Sequence, residues 1–149
     1  MSLFYITGVP RSRTAWFAAF MTASGFPCLH EGVIGCRTLA EYKSKIEHIS
    51  DSTTGLGILE KYYDRPTLAI TGRSDRAATF AGCDVEYMKE LERAQINLAQ
   101  LTVPFDQIDA RIEEIFLFLT GQPINLDIYS LFKTLTITSH VEFDYVALH

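Results

Sequence analysis

Five residues, Leu3-Phe4-Tyr5-Ile6-Thr7, form an aromatic and β-branched run that leads through a polar, cationic loop into an all-apolar segment. Such a run suits a strand buried on both faces. The segment after the loop, residues 14–23, contains Ala15-Trp16-Phe17-Ala18-Ala19-Phe20-Met21. A helix there has no polar face, so it too belongs inside. Two buried elements in succession demand that the rest of the chain cover them.

The later segments are read as that cover. A second short strand is expected at residues 26–29, and a helix at 38–48 carries Leu39, Tyr42 and Ile46 at helical spacing. Ser50-Asp51-Ser52-Thr53-Thr54-Gly55 reads as a polar loop, followed by a helix at 56–63 and a turn at Asp64-Arg65-Pro66. Residues 67–71 form another buried strand, ended by Gly72. A short helix at 75–81 and a longer one at 84–100 follow, the latter with Val85, Met88, Leu91 and Leu98 inward. After a strand at 101–105, Asp106 is the expected N-cap of a helix with Asp109 in its first turn. Ile108, Ile112, Ile115 and Leu119 give its inner stripe, and Gly121 and Pro123 stop it. Lys133-Thr134-Leu135-Thr136-Ile137-Thr138 alternates polar with apolar and reads as a final edge strand. This order predicts an α/β fold: three α/β/α layers around a mostly parallel sheet, in one domain over residues 1–149.

Composition limits the rest. With 48% apolar residues in 149, the chain has core enough to need no disulfide or metal staple. No apolar run approaches the roughly 18–20 residues that cross a bilayer, and no basic stretch opens a signal peptide. Cys28, Cys36 and Cys83 make no CxxC pair, so reduced thiols in a cytoplasm are the simplest account. A net charge of −5 argues against non-specific nucleic-acid binding.

In an open parallel sheet, ligands bind beyond the carboxyl ends of the strands. The loops at 8–13, 30–32 and 72–76 are therefore the places to search. Gly8-Val9-Pro10-Arg11-Ser12-Arg13-Thr14 packs two guanidiniums and two hydroxyls between apolar elements. Backbone N–H groups and a helix N-terminus there favour an anion. A Walker A loop, GxxxxGK[ST], is not met: Arg13, Thr14 and Ala15 stand where Gly, Lys and the hydroxyl should be. No apolar strand ends in a Walker B Asp, so magnesium has no usual seat.

The segment Gly8-Val9-Pro10-Arg11-Ser12-Arg13-Thr14-Ala15-Trp16 resembles the 5′-phosphosulfate loop of sulfotransferases, written GxP[RK]SGTT. The resemblance implies a P-loop nucleoside triphosphate hydrolase-like fold and 3′-phosphoadenosine 5′-phosphosulfate as co-substrate, without metal. The sulfuryl group would pass to a hydroxyl or amine acceptor. It places Gly8, Pro10, Arg11, Ser12, Arg13, Thr14 and Ala15 around the nucleotide, with Arg11 catalytic at the leaving oxygen. Arg73, in Ile70-Thr71-Gly72-Arg73-Ser74-Asp75-Arg76, matches the family's strand-end Arg for the 3′-phosphate. The family's later Ser is missing, Ala81 lying eight residues on, and Thr79 is the substitute. Residues 51–55 resemble the family's DKxP-like loop weakly. The tail, from Val103-Pro104-Phe105 to Phe118-Leu119-Thr120-Gly121-Gln122-Pro123, follows the family's order of features.

Sulfuryl transfer needs a base for the acceptor. Glu31, by a narrow margin over His30, is the candidate at the end of the second strand. His48, His140 and His149 have no supporting context. Arg13 in place of Gly, Ala15 in place of a hydroxyl, and a short chain depart from the family. Residues 38–59 are the segment available for a partial lid. Two other functions stay open: an atypical nucleotide or small-molecule kinase on the same fold, and a non-catalytic module for a phosphorylated ligand or a protein. The expected partners are the nucleotide and an acceptor, with no nucleic acid or membrane, and a homo-oligomer stays open.

Overall fold

The computed structural model describes residues 2–137. The opening run forms β1 (Tyr5–Gly8) and the apolar segment α1 (Thr14–Ala23); β2 (Cys28–His30), α2 (Leu39–Lys45) and β3 (Ser50–Ser52) follow. Next come β4 (Thr67–Thr71), α3 (Ser74–Ala81), α4 (Val85–Leu98) and β5 (Leu101–Pro104). A 3-10 turn (Phe105–Gln107), α5 (Ile112–Thr120) and α6 (Leu126–Phe132) complete the order. All five strands run parallel, in the spatial order β2-β3-β1-β4-β5.

Strand alternation divides the core. Phe4, Ile6, Leu68, Ile70 and Val103 face α1 and α5 across Trp16, Phe17, Phe20, Ile115, Phe116 and Leu119. Tyr5, one residue out of step, belongs instead with Tyr42, Ile46 and Leu56. Val9 meets Ala77 and Ala78 of α3 and Met88 and Leu91 of α4. Helices thus cover both faces of an α/β sheet. Among the described residues no helix is long and apolar enough to cross a membrane.

Several expectations change. The polar run 50–55 is not a loop at its start: Ser50, Asp51 and Ser52 are a buried inner strand. Burial is tolerated because each side chain is satisfied. Ser50 Oγ accepts from Phe4 N–H at 3.0 Å, and Ser52 Oγ donates to the Thr14 carbonyl at 2.7 Å. Asp51 accepts from Gly32 N–H and Tyr42 O–H. The helix expected at 56–63 is instead a turn through Ile58 followed by irregular chain. Gly57 lies so close to α4 that a Cβ would come within 2.6 Å of Leu91 Cδ1. Residues 38–59, the segment available for a partial lid, build α2, β3 and the turn that packs on α4.

The second strand starts at Cys28, beyond Pro27, and the helix expected from Asp106 starts only at Ile112. The intended stripe survives that shift, with Ile108, Ile112, Ile115 and Leu119 all buried. Residues 133–137 contain no strand, and Thr138 lies outside the described residues, as do His140 and His149. The chain before them forms α6, which had no counterpart in the sequence reading. Its Phe132 carbonyl accepts from Trp16 Nε1 at 2.9 Å.

Candidate functional site

From β1 the chain crosses by α1 to the edge strand β2; from β4 it crosses by α3 and α4 to the opposite edge strand β5. β1 and β4 are neighbours whose connections diverge, so a crevice opens beyond their carboxyl ends. The loop at 8–14 and the turn at 72–74 border it.

The first loop is folded tightly on itself. The bare Cα of Gly8 lets Ser12 pack over it: a Cβ there would fall 2.8 Å from Ser12 Cβ and 3.3 Å from the Ile70 carbonyl. Ser12 is fully buried, and its hydroxyl has no hydrogen-bond partner among the described residues. Arg11 and Arg13, on either side of it, hold left-handed backbone at φ 71° and 64°. Each such non-glycine residue costs of order 1–3 kcal/mol and persists only where its surroundings enforce it. Pro10 and Ala15 are half-buried, and Thr14 is buried.

The two arginines part company. Arg11 is exposed, its guanidinium 5.0 Å from the Phe80 ring. Its carbonyl accepts from Arg73 Nε at 3.1 Å, which ties the two strand ends together. Arg13 turns away: its guanidinium lies 4.0 Å over Trp16, and Nη1 is 3.2 Å from both Asp109 carboxylate oxygens. Tyr129 O–H donates to the same carboxylate at 2.7 Å. Burial, with Asp109 beside it, raises the Tyr129 phenol to about 12.

At the end of β4, the Arg73 guanidinium stacks 3.8 Å over Phe105. A cleft of about 270 Å³ opens there between Gly72, Arg73, Phe105 and Asp106. Partial burial and the nearby charges of Arg76 and Arg11 lower the pKa of Arg73. Among the described residues no ion pair engages Arg11, Arg73 or Arg76. Glu92 of α4 instead takes the neutral donors, Gly72 N–H at 2.6 Å and Ser74 Oγ–H at 3.0 Å. Thr79 is exposed and donates back to the Asp75 carbonyl of its own helix, at 3.1 Å.

The ends of β2 and β3 form a closed network. His30 Nε2 lies 3.2 Å from Thr14 Oγ1 and 4.0 Å from Glu31 Oε1. Burial lowers the His30 pKa, and the Glu31 charge opposes that. Glu31, 5% exposed and left-handed at φ 50°, accepts from Thr53 O–H at 2.8 Å and Thr54 N–H at 2.7 Å. Next to it Asp51 is held by Gly32 N–H at 3.0 Å and Tyr42 O–H at 2.7 Å. Burial above all raises the Asp51 pKa to about 6, against the pull of those donors, and Glu31 adds to the rise. A Cβ on Gly32 would stand 2.8 Å from the Asp51 carboxylate, so any larger residue there would push that carboxylate off its donors.

The structure thus joins Gly8, Arg11, Ser12 and Arg73 at one crevice, and Thr14 with His30 and Glu31 beside it. The Arg13 guanidinium and the Thr79 hydroxyl bond elsewhere. Asp51, Tyr42, Glu92 and Asp109 were missed as structural partners of the site. Nothing in the sequence pairs Glu92 with Gly72, twenty residues away, but an unbroken polar stretch of strand length was a signal for Asp51. Among the described residues no group of His, Cys, Asp and Glu is arranged to hold a metal ion. Compared with protein-family models, curated proteins and solved structures, the chain has no match.

Proposed function

We propose that the protein is a sulfotransferase-like transferase on a P-loop-like fold, with the phosphosulfate end of 3′-phosphoadenosine 5′-phosphosulfate seated on the loop at 8–14. One observation carries the reading: left-handed Arg11 and Arg13 enclose a buried Ser12 hydroxyl that is unpartnered among the described residues, beside Arg11, Arg73 and Arg76, which have no ion-pair partner among them. Left-handed residues alternating along a loop turn backbone N–H groups into a concavity that suits an anion. Unpaired cations in a chain of net charge −5 point to an anionic ligand.

In the proposed reaction the acceptor oxygen or nitrogen forms a bond to sulfur. The bond from sulfur to the nucleotide's phosphate oxygen breaks, and its electron pair leaves on that oxygen. Arg11 meets the developing charge there. His30 takes the acceptor's proton: burial lowers its pKa, which favours the neutral imidazole, and its 20% exposed side chain lies closer to the solvent than Glu31. Glu31, with both oxygens bonded, is better suited to fixing the turn than to accepting a proton.

Isothermal titration with adenosine 3′,5′-bisphosphate, in chelator, tests the reading. Binding without metal is expected. Tight binding of Mg·ATP alone would replace it with a kinase, and no nucleotide binding would leave a non-catalytic module.

A further inference from the structure

We infer that Glu92 is a specificity-determining residue: it decides how far the site favours a nucleotide with a second phosphate over one with a single phosphate. The inference rests on the nucleotide-binding reading above, and deepens it.

Two kinds of donor meet at the start of α3. The cationic donors, Arg73 and Arg76 with Arg11 across the crevice, lack ion-pair partners among the described residues. The neutral donors, Gly72 N–H and Ser74 O–H, are held by the two oxygens of the Glu92 carboxylate. A carboxylate bridging a backbone N–H and a hydroxyl at a helix N-terminus occupies the place an anionic ligand group would favour. Arg73 does not pair with it, since its Nε serves the Arg11 carbonyl and its guanidinium covers Phe105.

A ligand group anchored on the loop at 8–14 meets Arg11, which has no ion-pair partner among the described residues, while Asp109 is held on the far side by Arg13. A second anionic group, reaching toward Arg73, meets the cationic donors and also the fixed negative charge of Glu92. It finds the two best-placed neutral donors taken. Glu92 therefore subtracts from the affinity of a doubly anionic nucleotide more than from that of a singly anionic one.

Glu92→Gln tests this without removing the bridge, because the amide oxygen still accepts from Gly72 N–H and the amide group still reaches Ser74. Adenosine 5′-monophosphate and adenosine 3′,5′-bisphosphate are titrated into both proteins, and the backbone amides are followed by NMR. The ratio of bisphosphate to monophosphate affinity is expected to rise by about threefold to tenfold in Glu92→Gln, as for removal of one partly screened like charge. The Gly72 amide should move with the bisphosphate and stay in place with the monophosphate. An unchanged ratio, with amides of residues 8–14 still responding, overturns the role of Glu92 alone. No response at residues 8–14 to either nucleotide overturns the functional reading, and this inference with it.

Discussion

The two halves of the same sheet end use polar residues in opposite ways. Beyond β2 and β3, every carboxylate is engaged: Glu31 by Thr53 and Thr54, Asp51 by Gly32 and Tyr42. Beyond β1 and β4, the guanidiniums of Arg11, Arg73 and Arg76 have no ion pair, and the buried Ser12 hydroxyl no bond, among the described residues. A satisfied buried network rigidifies its surroundings, whereas unpaired cations are available to a ligand. The first half is scaffold that holds His30 and Thr14; the second is the surface proposed to receive the ligand.

Substitutions should separate the halves. Asp51→Ala strands Gly32 N–H and Tyr42 O–H in the interior and is expected to destabilise by about 2–5 kcal/mol, measured by urea unfolding. Ligand affinity per folded molecule should change far less; a larger loss in affinity than in stability would merge the two regions. The same carboxyl gives the scaffold a pH signature. Its folded pKa, about 6, is raised above the ordinary 3.8, so the folded state favours the protonated form. That contribution is full below about pH 4 and lost as the pH rises through 6, a swing on the order of 2–3 kcal/mol. Unfolding at pH 4.5 and 7 should show it in the wild type and not in Asp51→Asn.

On the receptive side, Arg73→Ala should weaken the bisphosphate by about 1.5–3 kcal/mol, as for a charged hydrogen bond, with little change in stability. Calorimetry reads the first and thermal melting the second; equal losses in both would make Arg73 scaffold. Asp109→Asn is the mildest test. The pair it breaks with Arg13 is half-exposed at Asp109, so an effect of about 0.2–1 kcal/mol, fading with salt, is expected in thermal unfolding.

Apolar periodicity located β1, α1, β4, α3, α4 and the inner stripe of α5, because those residues are buried whatever their partners. It failed at β3, where burial rests on hydrogen bonds from Phe4, Gly32 and Tyr42 and one donated to the Thr14 carbonyl, rather than on apolar side chains. It failed again at residues 56–63, where the chain forms a turn and irregular segment with Gly57 packed against Leu91 of α4. The loop at 8–14 was legible as a polar, cationic connection between two buried elements from its residue types. The direction of each arginine was not: Arg13 finds Asp109, 96 residues along the chain, and Arg11 stays open.

The amino-acid order by itself determined an α/β chain with a cationic loop between a buried strand and a buried helix, since side-chain polarity and local geometry act over a few residues. The tertiary structure alone decided which charges are spent and which remain. Electrostatic pairing depends on distance in space, and only the folded sheet brings Glu92 to Gly72, Asp51 to Gly32 and Arg73 to Arg11.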